Sequence, residues 1–143
     1  MKTLGLRDII GPIMVGPSSS HTAGALRIAL MARNLCGSTP QKAEFRLLGS
    51  FAHTYQGHGT DKALVAGMLG FAADDLRVRD SFRWAAAKGL AFSFNPDPQA
   101  DDFTHPNTID VTVTDESGCT VCVRGESIGG GAAVITRLDG IDV

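Results

Sequence analysis

Hydrophobic and polar positions along the chain follow two periods, and each period predicts its own set of elements. Ala23 to Leu35 is rich in Ala and Leu and predicts a helix stopped at Gly37, a residue free to take positive φ. Asp61 to Phe71 predicts a second helix, and Ser81 to Lys88 a third that ends at Gly89. Leu4 to Ile10 predicts a short opening helix ahead of Gly11-Pro12. Elsewhere apolar residues alternate. Ala43, Phe45, Leu47 and Leu48, with Glu44 and Arg46 between, predict a half-buried strand over Lys42 to Ser50. Leu90 to Phe94 predicts a short strand, followed by a turn-rich connection from Asn95 to Asp102 that carries Pro96 and Pro98. Thr108 to Thr114 and Cys119 to Arg124 alternate on either side of Asp115-Glu116-Ser117-Gly118, the pattern of a β-hairpin. Gly129-Gly130-Gly131 marks a bulge or sharp turn before a last strand, Ala132 to Leu138. Helices toward the front and hairpin strands toward the back predict an α+β fold. The expectation is a single two-layer domain over residues 1–143, with helices packed on one face of a mostly antiparallel sheet.

Two hydroxyl- and histidine-rich segments precede predicted helices. The first, Gly16-Pro17-Ser18-Ser19-Ser20-His21-Thr22, leads into the helix at Ala23. A helix start presents unpaired N–H groups and about half a positive charge, a setting in which anions bind. Ser18, Ser19, Ser20 and Thr22 bring hydroxyl donors, and His21 a group that changes charge near neutral pH. Two readings stand: an ordinary N-cap set among turn residues, or a site for a small carboxylate or phosphate. The second segment, Ala52 to Thr60, is expected to be a loop. It holds His53, Thr54, Tyr55 and His58, then Thr60, Asp61 and Lys62, with Thr60 placed as an N-cap and Asp61 in the first helical turn. Here too the histidines read either as surface groups on a loop or as ligand contacts. His105-Pro106-Asn107 introduces a strand, so all four histidines lie in loops beside a helix or strand end.

Composition narrows the function classes. A chain of 143 residues with 43% hydrophobic and 20% charged residues can form a real core, which argues against a disordered chain. Thirteen Lys and Arg against fifteen Asp and Glu leave a net charge of -2, so nothing favours nucleic acid or an anionic membrane surface. No apolar run approaches the about 20 residues of a membrane span, and the N-terminus lacks the pattern of a secretory signal, which implies a cytoplasmic protein. Cys36, Cys119 and Cys122 are an odd number and suit a reducing compartment. They are too few to hold an iron–sulfur cluster alone, and strand geometry puts Cys119 and Cys122 on opposite faces. No metal site is expected in this chain. Phosphate-binding glycine loops of the Walker and dinucleotide types, and the GxSxG nucleophile elbow, are absent from the sequence.

The run from Gly11 to Gly24, GPIMVGPSSSHTAG, resembles the signature of the beta chain, or beta domain, of iron–sulfur-dependent L-serine dehydratases. Gly49-Ser50-Phe51-Ala52-His53-Thr54, Gly57-His58-Gly59-Thr60-Asp61-Lys62-Ala63, His105-Pro106-Asn107 and Ser127-Ile128-Gly129-Gly130-Gly131 extend the resemblance in order over nearly the whole chain. It implies a lyase that converts L-serine to pyruvate and ammonia with a 4Fe-4S cluster. One iron would act on the serine hydroxyl while a base removes the α-proton. It places the cluster cysteines in a separate alpha chain or domain, so the chain would be inactive alone. It also implies a fold like the allosteric substrate-binding domain of phosphoglycerate dehydrogenases, and a possible homodimer through this domain. Carried over by position, Ser18, Ser19, Ser20, His21 and Thr22 would border the cleft shared with the alpha partner and hold the serine carboxylate. His53, His58 and His105 join His21 as candidate proton carriers, and Thr60, Asp61, Lys62 and Asn107 as candidate substrate ligands. Two-chain relatives commonly carry an ACT-type domain after the glycine triplet, and this sequence stops at Val143.

A rival from another class keeps the same residues and removes the chemistry: an anion- or serine-sensing regulatory module. Calorimetric titration with L-serine and with phosphate separates the two. Binding that needs no alpha partner favours the sensor.

Overall fold

A computed structural model describes residues 22–56 and 59–143. The expected helix over Leu4 to Ile10 lies outside the described residues. Helix α1 (Ala23–Leu35) is followed by strand β1 (Pro40–Leu47), a short helix α2 (Ser50–Thr54), helix α3 (Thr60–Met68), a 3-10 turn (Leu76–Asp80) and helix α4 (Ser81–Lys88). Then come β2 (Ala91–Pro96), β3 (Thr108–Asp115), β4 (Thr120–Gly129), β5 (Ala132–Leu138) and β6 (Ile141–Asp142). The strands form one sheet in the order β2-β1-β3-β4-β5-β6. β1 and β2 pair in parallel, as a crossover through α2, α3 and α4 requires, and every other pair is antiparallel. The α+β architecture and the mostly antiparallel sheet expected from the sequence are present.

Alternation decides which face of the sheet is covered. Phe45, Val111 and Val123 stand in register across β1, β3 and β4, with Ala43 beside Val113 and Leu47 beside Ile109. All of these are buried beneath Ala25, Ile28, Ala29 and Ala32, which recur at helical spacing on one side of α1. Helix α3 packs in turn on α1, and the Arg33 guanidinium of α1 donates from Nε to the Met68 carbonyl (3.0 Å), satisfying an acceptor that the end of α3 leaves open.

Several boundaries differ from expectation. The strand expected over Lys42–Ser50 stops at Leu47: Leu47 and Leu48 are both fully buried, so alternation fails there, and the Leu48 N–H turns to the Thr108 carbonyl (3.1 Å). Ser50–Thr54, whose last three residues belong to the expected loop, is helical, anchored by buried Phe51. Thr60 is no cap. Gly59 occupies that position in the left-handed region, and Thr60 is the first helical residue, completely buried. The helix expected to reach Phe71 ends at Met68, while Phe71 stays buried in a second cluster with Leu26, Ala63, Ala66 and Val78. Gly37 does not stop α1 by positive φ, because Cys36 before it is already extended (ψ 143°). β4 runs past Arg124 to Gly129 because the register shifts between Arg124 and Gly125 and breaks the alternation. The expected stop at Gly89 (φ 75°) and the turn at Gly129–Gly131 are as read. Among the described residues no helix is long and apolar enough to cross a membrane.

Among the described residues no helix covers the other face of the sheet, which carries charge. Arg46 donates to Asp97 (2.9 Å), Asp110 (3.1 Å) and Asp102 (3.3 Å), and nearly buried Arg124 donates to Asp110 (2.7 Å) and to the Asp102 carbonyl (2.6 Å). Hydrogen bonds from Arg46, then from Arg124, pull the Asp102 carboxyl down to about 2. Its folded pKa therefore lies below the unfolded value of roughly 3.9, so the pairing stabilises above that pH and is lost as pH falls toward about 2. Asp102→Asn is expected to lower the melting temperature at pH 6, with the difference from wild type gone by about pH 2. Thermal melts at both pH values check this.

Candidate functional site

At the end of the sheet where β1 and β4 finish and β3 begins, four segments far apart in sequence are pinned together, largely by backbone. Gly49 sits at φ 58°, and a Cβ there would stand 2.1 Å from the Pro106 carbonyl oxygen. The neighbouring Ser50 N–H donates to that same carbonyl (2.8 Å). From the other side the Ser127 N–H of β4 donates to the Asn107 carbonyl (2.9 Å). Gly24, in the first turn of α1, lies so close to Ser127 that a Cβ would come within 1.9 Å of its Oγ. The His105-Pro106-Asn107 loop is thus held between α2 and β4, with the first turn of α1 against β4.

This clamp sets the chemistry of two side chains. The Asn107 N–H donates to His105 Nδ1 (3.0 Å), so Nδ1 is an acceptor and the neutral ring carries its proton on Nε2. The His105 carbonyl accepts from Thr108 Oγ1 (2.6 Å), which fixes the loop from below. Ser50 Oγ donates to Asn107 Oδ1, and with the oxygen so occupied the Asn107 amide nitrogen remains a donor. Both His105 and Asn107 are half-buried. The pair offers N–H groups without a formal negative charge, which suits a carboxylate or another small anion.

The other expected residues divide into three groups. Ser18, Ser19, Ser20, His21 and His58 lie outside the described residues. Thr22 is buried directly before α1, where its carbonyl accepts the Leu26 N–H (2.9 Å). Asp61 and Lys62 open α3 beside α2: the Asp61 N–H donates to the Tyr55 carbonyl (3.2 Å), and Asp61 Oδ1 accepts from the Lys62 N–H (2.8 Å). Burial pushes the half-buried Asp61 carboxyl above the usual range, against the pull of that hydrogen bond and the Lys62 charge. Lys62 and His53 are exposed. Tyr55, between α2 and α3, packs on Phe94 of β2 (5.7 Å between ring centroids), so α3 starts at the same end of the sheet as the clamped loop.

Ser50 and Ser127 were not among the expected site residues. Ser50 falls at the expected end of the strand pattern. The available signal was the broken alternation at Leu47-Leu48, immediately followed by Gly-Ser. Cys119 and Cys122 are both free and exposed; Cys122 Sγ faces Thr112 Oγ1 (3.6 Å) on the helix-free side of the sheet. That side also has an open groove of about 780 Å³ lined by Arg46, Asp97, Asp110, Arg124, Arg137 and Asp139. Arg46 and Arg124 are spent on the groove's own Asp110, Arg137 pairs with Asp142 beside it, and none of the expected site residues among those described lines it.

The fold and this clamped end define an open-sheet α+β domain with polar loops gathered where helices and strands meet. The family model described as "Serine dehydratase beta chain" matches residues 8–137, and the chain belongs to that family. It is 47% identical over 136 residues to "L-serine dehydratase, beta chain" of Peptoniphilus asaccharolyticus, covering 95% of this chain and 61% of the relative. It is 46% identical over 143 residues to "Probable L-serine dehydratase, beta chain" of Bacillus subtilis (strain 168), covering 100% of this chain and 64% of the relative. It is also 41% identical over 69 residues to "L-serine dehydratase" of Helicobacter pylori, covering 46% of this chain and 15% of the relative. The chain therefore spans less than two thirds of the length of both beta-chain relatives.

Proposed function

We propose that this chain is the beta portion of an L-serine ammonia-lyase that forms pyruvate and ammonia together with an alpha chain or domain. The observation that carries the site assignment is the clamped His105-Asn107 loop, which turns a histidine N–H and a carboxamide N–H₂ into preset donors at the end where α3 also starts. Family membership supplies the reaction class. Preset donors bind a substrate carboxylate without the cost of organising them at the moment of binding.

The implied 4Fe-4S cluster does not fit the donors described here. Among the described residues no group of three or more His, Cys, Asp or Glu could hold a metal ion, and the three thiols are split between the end of α1, the β3–β4 turn and the helix-free face. The cluster is assigned to the alpha partner. The role of this chain is to bind and orient L-serine: Asn107 engages the carboxylate, and His105, half-buried with a defined tautomer, is better placed than exposed His53 to carry a proton. Asp61, its carboxyl raised by burial, is a second proton carrier at the neighbouring helix start.

Variants in the assembled alpha–beta enzyme test this assignment. His105→Ala and Asn107→Ala are each expected to lower kcat/KM for L-serine at least tenfold, whereas Arg137→Ala on the helix-free face leaves it within about twofold. Pyruvate formation is the readout. An Arg137→Ala loss as large as the other two would move the site to the opposite face.

A further inference from the structure

We infer that Ser50 is a positioning residue for the substrate carboxylate: its hydroxyl holds the Asn107 carboxamide with the nitrogen, not the oxygen, turned to the ligand. This rests on the reading of the sheet end as the L-serine site. An asparagine carboxamide presents either a donor or an acceptor edge, and a half-turn about its last torsion exchanges them. Only the donor edge attracts a carboxylate; the acceptor edge repels it. Ser50 Oγ donates to Asn107 Oδ1, which occupies the oxygen, and Asn107 Nδ2 has no hydrogen-bond partner among the described residues. The backbone keeps donor and acceptor in place from both directions. Ser50 is held through its N–H on the Pro106 carbonyl (2.8 Å), and Asn107 through its carbonyl on the Ser127 N–H (2.9 Å) and its own N–H on His105 Nδ1 (3.0 Å). Removing the Ser50 hydroxyl leaves all three of these backbone contacts intact and removes its hold on the carboxamide. The role assigned to Ser50 is therefore separable from folding.

The consequence is a binding effect rather than a chemical one. In the assembled enzyme Ser50→Ala is expected to raise KM for L-serine about tenfold with kcat within about twofold, and Ser50→Thr, which retains the hydroxyl, to restore KM. Because Ser50 acts through Asn107, the double variant Ser50→Ala/Asn107→Ala should be no worse than Asn107→Ala alone. A fall in kcat at unchanged KM, or losses that multiply in the double variant, would overturn the proposal. A second readout does not depend on turnover. In the assembled enzyme with this chain ¹⁵N-labelled, the Asn107 side-chain amide resonances are expected to move on addition of L-serine but not of serinol, which lacks the carboxylate, and this response should disappear in Ser50→Ala. Should the wild-type assembly make no pyruvate while the carboxylate-dependent shift is present, the lyase reading fails and the positioning role stands. Should pyruvate form while serinol shifts Asn107 equally, or neither compound does, the positioning role fails and the lyase reading stands.

Discussion

Gly49→Ala is expected to destabilise the chain by roughly 3 kcal/mol and to lower kcat/KM of the assembled enzyme about a hundredfold. Two costs combine at this position. At φ 58° and ψ -132°, a conformation close to glycine-only, an L side chain pays roughly 1–3 kcal/mol for the backbone alone. The added Cβ then meets the Pro106 carbonyl oxygen at 2.1 Å, and that carbonyl is fixed because it also accepts the Ser50 N–H. Relief requires moving the His105-Asn107 loop, and a displacement of about 1 Å in a positioning group is enough for a loss of that size. Gly118→Ala is the matched control: φ there is 91°, but nothing lies within 4 Å of the added Cβ. It should show the conformational cost alone and keep full activity. Urea unfolding of both variants, with pyruvate assays on the assembled enzyme, separates strain from clash. Equal effects at Gly49 and Gly118 would mean that the contact with Pro106 is unimportant.

The parts of the fold that were legible in the sequence are those governed by local pattern. The β3–β4 hairpin followed from alternation around Asp115–Gly118, and α4 from an Ala-rich stretch closed by Gly89, because periodicity and turn chemistry there agree with the final packing. Where tertiary contacts override the pattern, the reading failed. The β4 register shift at Arg124/Gly125 depends on β5 pairing against it, and the Gly125 position is pressed by Ile28 of α1, so that a Cβ would lie 2.6 Å from Ile28 Cγ2. Thr60 looked like a cap by residue type, yet Gly59 in the left-handed region makes the turn and leaves Thr60 inside.

The candidate site divides along the same line. His105 and Asn107 stood out as polar residues at a strand start, and their importance came with the family resemblance. Their geometry did not, since the Ser50–Asn107 hydrogen bond joins residues 57 apart and the Ser127–Asn107 backbone bond joins β4 to a loop before β3. No local period encodes such pairings. What the sequence carries is the two glycines, at positions 24 and 49, whose close approaches only the structure shows.

On the proposed reading this chain completes an enzyme that it does not constitute alone. Its own thiols do not form a cluster site among the described residues, and on that reading its clamped donors would hold a substrate whose reacting end is handled by the alpha partner. The expected effect is correspondingly the largest of all. Pyruvate formation from L-serine should be near background for either component alone and should rise by orders of magnitude when the two are combined under anaerobic conditions. The direct measurement is that anaerobic assay with the alpha component, its cluster intact, titrated with this chain. Activity that grows with added chain to a stoichiometric plateau is the predicted result. An alpha component equally active without the chain would contradict the account.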